Sequence, residues 1–320
     1  MDDALSLLLA THRGVAGTRD LEALGLGSEA VRDLVARGRL VRLRRGTFVD
    51  GELWRAAPPW DRHHLRARAV ARERAGAAVA LSHHSALAVQ GIGVHGVDER
   101  VHLVRTVPGR SRADRTVVVH QQVPSPFLAD REGTRCVVPA MACLQVASRF
   151  GVEAGLVSAD AALHTGVIDR AALDVAAAAL GPVTGRGRAL RMIELASARS
   201  ESAGESRCRW VFVLVGLPDP EQQAEIRDAA GAFVARVDFL FRDAGVVVEF
   251  DGMLKYGDAA ALRAEKVRED RLRELGYEVV RLTWADLASG ATVAGKLHAA
   301  FARAAARPGT HARALTGPAS

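Results

Sequence analysis

From Phe233 to Phe241 apolar side chains alternate with polar ones and then run together, and a second apolar run follows from Val246. Between them stands Arg242-Asp243-Ala244-Gly245, which is turn chemistry, so the stretch predicts a β-hairpin. With Arg242 and Gly245 closing the turn, Asp238 falls directly opposite Glu249, and Asp251 shares the face of Glu249. Directly opposed residues have Cβ atoms roughly 5 Å apart, where like charges repel. Three carboxylates on one face of a mostly apolar hairpin require a counter-charge, and a divalent cation is the natural one.

The pattern around the hairpin predicts a helix over residues 201–215, ended by Gly216 and Pro218. Strands are expected over 223–228, 233–241, 246–251 and 277–283, and a long charged helix over 258–275 closed by Gly276. Trp284-Ala285-Asp286-Leu287 is expected to open the last helix. Trp210, Trp284 and Phe239 read as core rather than as base-stacking platforms. Arg263, Lys266, Arg268, Arg271 and Arg273 alternate with acids on the charged helix, so an ion-paired solvent face is expected as readily as phosphate contacts.

At the other end, residues 2–11 form an apolar-faced helix broken by Gly14 and Gly17. Thr18 is expected to cap a short helix to Leu24, and Ser28 a second one to Arg37, stopped by Gly38. Residues 40–49 alternate and turn as a wing would. From Arg32 to Arg45 there are six arginines against one acid, Asp33, a local net charge of +5. This is a winged helix-turn-helix pattern, with 28–37 as the recognition helix. The candidate DNA contacts are Ser28, Arg32 and Arg37 on that helix and Arg42, Arg44 and Arg45 on the wing.

Between these ends, residues 51–195 are rich in Ala and Val, with helix-like and strand-like segments in alternation. Helices are expected over 60–75, from Ser82 onward, and through 139–180; strands over 77–81, 101–104 and 116–120; and a linker at 183–187. His83 and His84 are adjacent and point in different directions on a helix, so both cannot easily ligate one ion. One is expected to be buried and hydrogen-bonded, the other to cap the helix or lie at the surface. His63 with His64 has no ligand spacing either.

Composition adds three things. The formal charge of +6 and pI near 9.9 favour an acidic partner such as DNA. Lys255, Lys266 and Lys296 are the lysines in a chain whose basic residues are otherwise Arg, as in proteins of high-GC bacterial genomes. Cys136, Cys143 and Cys208 show no C-x-x-C spacing, and the start is acidic where a signal peptide would be basic. With no long uncharged apolar run, the expectation is a cytoplasmic protein without a membrane span.

Two resemblances follow from these motifs. Arg39-Leu40-Val41-Arg42-Leu43-Arg44-Arg45-Gly46-Thr47-Phe48 and Ser82-His83-His84-Ser85-Ala86-Leu87 resemble antitoxins of AbiEi-type abortive-infection systems. In that family a winged helix-turn-helix precedes an α/β domain and represses its own operon. The second resemblance is to the very-short-patch-repair endonuclease-like domain of unknown function, within the PD-(D/E)XK superfamily. It is carried by Glu201-Ser202-Ala203-Gly204-Glu205-Ser206, Arg236-Val237-Asp238-Phe239, Val248-Glu249-Phe250-Asp251-Gly252, Lys255-Tyr256, Glu265-Lys266, Arg268-Glu269-Asp270-Arg271-Leu272 and 276–284.

This second resemblance implies metal ligands at Asp238, Glu249 and the Phe250 carbonyl. Glu205 would bind through water or a second ion, with Glu201, one turn away, as its competitor. Oxygen ligands of this kind suit Mg²⁺, with Mn²⁺ as substitute. The superfamily's catalytic lysine belongs where Asp251 stands, and the short-patch enzymes' histidine belongs near Tyr256. Lys255 is then the candidate for a migrated catalytic lysine, since a lysine can shift its pKa where an arginine cannot.

The expected architecture is therefore α+β and multidomain. A winged helix-turn-helix (1–50) precedes a mixed α/β middle domain (51–195), a restriction-endonuclease-like α/β/α core (196–302) and a disordered tail (303–320). The expected function is Mg²⁺-dependent hydrolysis of DNA, in phage defence or repair. The competing expectation is a non-catalytic regulator or antitoxin of an AbiEi-type toxin–antitoxin system, holding DNA or a cognate toxin. Winged helices often bind as dimers, so a homodimer is among the expected states, although no dimerisation seam is visible.

Overall fold

Leu5, Leu9, Leu21, Leu26, Leu40 and Phe48, apolar positions spread over the first fifty residues, close on one another as a single buried cluster. The elements they join are α1 (Asp2–Thr11), β1 (Val15–Gly17), α2 (Thr18–Ala23), α3 (Ser28–Ala36), β2 (Leu40–Arg44) and β3 (Thr47–Asp50). These positions come from a computed structural model that describes residues 2–58, 61–252 and 259–307. The chain divides into two units, 1–196 and 197–320.

In the first unit β1, β3 and β2 form an antiparallel sheet in that order. Gly46 takes φ +77° at the β2–β3 turn, a left-handed conformation that suits glycine, and its carbonyl accepts the Thr18 amide at 3.2 Å. The wing turn is thereby tied to the start of α2. Strand β1 was not expected, since the two apolar residues between Gly14 and Gly17 carry too short a pattern to read. The N-caps are Gly17 and Gly27, one residue ahead of the expected Thr18 and Ser28. At α2 the reason is Asp20, whose Oδ2 accepts the Gly17 amide at 2.8 Å and so does the capping from inside the helix.

The chain continues through α4 (Gly51–Ala56) and α5 (Arg62–Glu73). Leu65 and Ala69 of α5 share a buried cluster with Val15 and Val49, so α5 closes the back of the wing sheet. Then come β4 (Val79–Leu81), α6 (His83–Val89), β5 (Val101–Arg105), β6 (Arg112–Ala113), β7 (Val117–His120), β8 (Leu128–Arg131) and β9 (Thr134–Val137). They form a six-stranded sheet ordered β6-β7-β5-β4-β9-β8, with the β5–β7 and β4–β9 pairs parallel. Helices α7 (Pro139–Phe150), α8 (Val152–His164), α9 (Arg170–Ala179) and α10 (Arg186–Leu195) complete this unit. The β8–β9 hairpin was missed because its strands are polar and half-exposed, without an apolar run.

The second unit contains α11 (Ala203–Leu214), β10 (Glu221–Arg227), β11 (Phe233–Phe241), β12 (Val246–Asp251), α12 (Ala259–Glu274), β13 (Glu278–Thr283) and α13 (Gly290–Ala305). Its sheet runs β10-β11-β12-β13, with β12 and β13 parallel. Phe212 of α11 and Val293 and Leu297 of α13 pack with Phe239, Val246, Val248 and Leu282. Leu272 of α12 packs with Leu240 and Val247, which point to the opposite face. The last helix starts at Gly290, later than expected, because Asp286 accepts both the Thr283 amide and hydroxyl at 2.9 Å and holds a short 3-10 turn there instead. Among the described residues no helix is long and apolar enough to cross a membrane.

Candidate functional site

Helix α3 presents Ser28, Arg32 and Arg37 to solvent, and the wing presents Arg42 and Arg45. A groove of about 370 Å³ runs between them, bordered by Thr18, Ser28, Arg32, Arg42 and Arg45 and floored by Phe48. Ser28 lies in the first turn of α3 and Arg37 at its C-terminal end. Not every arginine of the cluster faces outward. Arg44 lies 4.0 Å from Glu73 and 3.6 Å from Asp114. Arg39 pairs with Asp50, which also caps α4 by accepting the Glu52 and Leu53 amides at 2.8 and 3.0 Å. Of the expected wing contacts, Arg44 is thus engaged within the fold, while Arg42 and Arg45 are exposed.

The hairpin of the second unit has the expected register: Phe239 pairs with Val248, Leu240 with Val247 and Phe241 with Val246. What differs is the company of each carboxylate. Glu205 is buried; its Oε1 accepts the Ser202 hydroxyl at 2.7 Å, and its Oε2 accepts the Glu201 amide and the Gln223 side-chain amide, both at 2.9 Å. Asp238 Oδ2 accepts the Phe250 backbone amide at 2.8 Å, and its Oδ1 lies 3.5 Å from Gln223 Nε2. Glu249 meets Arg268 of α12 at 3.0 Å.

The three acids therefore each have a partner from the chain itself, and Gln223 stands between two of them. Gln223 holds φ +51°, a strained left-handed value for a side-chain-bearing residue. Burial raises the pKa of both Glu205 and Asp238, although donated hydrogen bonds pull the other way.

Glu201 does not share a helix face with Glu205. It precedes α11, and its carboxylate takes Arg236 in a two-pronged pair at 2.8 and 2.9 Å. Gly204 leaves room for the Phe250 ring, which would lie 1.9 Å from a Cβ there. Trp284, expected in the core, is 44% exposed; its Nε1 donates to the Gly252 carbonyl at 2.8 Å and Arg207 lies over its ring. Phe239 is core as expected. Asp251 sits at the end of β12 opposite Thr283. Lys255 and Tyr256 lie outside the described residues.

His83 and His84 are both buried, which corrects the expectation that one would cap the helix or lie at the surface. Helix α6 starts under the six-stranded sheet with helix α7 packed against it, so neither side of its first turn faces water. Burial lowers the pKa of both, His84 to about 4.

Comparison with known proteins places one family match at the N-terminus. Residues 3–49 match the family described as "Transcriptional regulator, AbiEi antitoxin". Two uncharacterized proteins of Mycobacterium tuberculosis, from strains CDC 1551 / Oshkosh and H37Rv, are each 29% identical over 196 residues, 61% of this chain and 69% of theirs. The crystal structure of the RV2827C protein from Mycobacterium tuberculosis aligns with a TM-score of 0.37 and 18% identity, over 70% of this chain and 88% of that one. Residues 3–49 thus form an AbiEi antitoxin-like transcriptional-regulator domain at the N-terminus.

Proposed function

We propose that this protein is a DNA-binding transcriptional regulator of the antitoxin kind. The N-terminal turns of α3 enter the major groove, and the β2–β3 wing lies on the neighbouring backbone. The observation that carries this reading is the coincidence, within residues 3–49, of the family match with a groove rimmed by exposed Arg32, Arg42 and Arg45. Arginine is suited to that position because its planar fork reads guanine edges and phosphates in pairs of hydrogen bonds. A cognate toxin is the protein partner such a regulator would hold.

The test is fluorescence anisotropy of the full chain with labelled DNA from its own upstream region, repeated across salt concentrations. Saturable binding, stronger than to a scrambled duplex and weakening linearly in log–log form with salt, is expected. Absence of binding at low salt overturns the proposal.

A second reading, a Mg²⁺ site at Glu205 and Asp238, rests on one buried and one half-buried acid that share Gln223. The comparisons lend hydrolysis no support. Asp238→Asn separates the possibilities by stability. Because burial raises the Asp238 pKa, its ionised form opposes folding. Stability is lost as pH rises from about 3.9, the ordinary aspartate value, through the higher folded one. The variant is therefore expected to melt above wild type at pH 7.5 in EDTA and to show a flatter pH profile. If a cation sits here, millimolar Mg²⁺ raises the melting temperature of wild type only. Equal curves with and without Mg²⁺ remove this reading.

A further inference from the structure

Three histidines far apart in sequence meet in the first unit: His83 at the start of α6, His102 in β5 and His120 at the end of β7. The sheet sets this up. Strands β5 and β7 run parallel with His102 opposite Val118 and Val104 opposite His120, so both imidazoles lie on one face. His83 reaches the same point through a left-handed backbone, φ +50°, which a non-glycine residue adopts only where surrounding structure holds it. Its ring stacks on His120 with centroids 4.2 Å apart and lies 5.1 Å from His102. Among the described residues, this is the set of three His, Cys, Asp or Glu side chains whose ligand atoms all lie within 4.8 Å of one another.

The surroundings orient the donors. His102 Nε2 lies 3.0 Å from Asp98 Oδ1, which fixes the proton on that nitrogen and leaves Nδ1 as the lone-pair donor, 2.8 Å from His120 Nε2. A carboxylate behind a histidine is the usual outer support of a metal-ligating imidazole. His83 Nδ1 is engaged by the Ser82 hydroxyl at 3.0 Å, which leaves Nε2 as the nitrogen for a ligand, and its amide donates to Gln145 Oε1 at 3.2 Å. A cavity of about 340 Å³ opens beside His83 and His120, with Gln145, Ser148 and Arg149 in its wall.

We propose that His83, His102 and His120 bind a divalent cation of the zinc class, with the fourth position taken by water or a small anion entering from the cavity beside Arg149. Imidazole donors suit borderline cations such as Zn²⁺ rather than Mg²⁺, and three protein ligands leave one position open. Burial also holds these imidazoles in the neutral form that ligation needs, His120 with its pKa lowered to about 3. Without a metal, the same distances describe a hydrogen-bonded Asp98–His102–His120 chain, so the experiment must separate the two.

Full-length protein is stripped with chelator, dialysed and titrated with Co²⁺ as a spectroscopic stand-in for Zn²⁺, and metal content is measured in parallel after Zn²⁺ loading. Expected are about one equivalent per chain and visible absorption bands of four-coordinate cobalt, which Zn²⁺ displaces. His120→Gln and His83→Asn are expected to lose both, asparagine being tolerant of the left-handed backbone. His298→Gln, at an exposed position of α13 in the other unit, should lose neither. If a variant fails to fold by circular dichroism, the wild type decides alone: Zn²⁺ must slow modification of His120 by diethyl pyrocarbonate. Substoichiometric binding, bands that persist in folded histidine variants, or unchanged His120 reactivity overturns the proposal.

Discussion

Replacing Arg32, Arg42 and Arg45 together with alanine is expected to weaken DNA binding by roughly 10²- to 10⁴-fold, at about 1–2 kcal/mol per contact. All three border one groove and are exposed. In the absence of DNA they have little to hold them in place: Arg32 Nε reaches the Ser28 carbonyl of its own helix at 3.3 Å, and Arg42 Nε the Arg44 carbonyl at 3.4 Å. Their loss should leave the fold intact, because the buried cluster of Leu21, Leu26, Leu40 and Phe48 lies beneath them. The slope of log affinity against log salt should fall by about 3, close to one for each charge that faces phosphate.

Arg44→Ala provides the contrast. Its pairs with Glu73 and Asp114 lie within the fold, so it should affect melting more than affinity. Anisotropy with the same duplex measures both variants. A triple variant with an undiminished salt slope would remove α3 and the wing as the interface.

The N-terminal unit was legible where local rules decide. Helix α3 could be placed to within a residue, although Gly27 rather than Ser28 is its cap, the wing from alternation, and the arginine cluster from charge alone. Which of those arginines point outward could not be read, since Arg44 is turned inward by Glu73 on α5 and Asp114 near β7, neither of which is near it in sequence. The hairpin register of β11 and β12 was legible for the same local reason. The partners of its carboxylates were not, because the Gln223 amide and the Arg268 guanidinium arrive from a neighbouring strand and from α12. Asp238 and Glu249 each keep a partner from the chain itself, the Phe250 amide and Arg268, and the Mg²⁺ melting experiment decides whether a cation joins them.

The histidines show the limit most clearly. Strands at 101–104 and 116–120 were expected, each with one histidine among valines, and that was a usable signal. What was missing was the crossover order β7-β5-β4 of the sheet, which places those strands side by side and brings His83 beneath them.

Asp20→Ala is expected to cost about 2–3 kcal/mol of stability, the sum of a lost cap of about 1 kcal/mol and the hydrogen bonds to Arg72. Asp20 accepts the Gly17 amide from within α2, and Arg72 of α5 grips the same carboxylate with Nε at 3.0 Å and a second nitrogen at 2.5 Å. One side chain therefore both ends β1 and fastens the winged region to α5. Burial would raise the Asp20 pKa, but Arg72 and the Gly17 amide together outweigh it, and the net shift is downward.

A lowered carboxylate pKa contributes stability that is present above the ordinary value, about 3.9, and is lost as pH falls through the folded one. The gap in melting temperature between wild type and Asp20→Ala should therefore be full at pH 6 and narrow steadily below pH 4. The Val15, Val49, Leu65 and Ala69 cluster remains in the variant, so DNA affinity measured well below its melting temperature should change little. That combination, a loss in melting that titrates with Asp20 and affinity that stays, marks a residue that fastens the reading domain rather than one that touches DNA. A gap that persists unchanged at pH 3 would assign the cost to packing and remove the Arg72 pair as its cause.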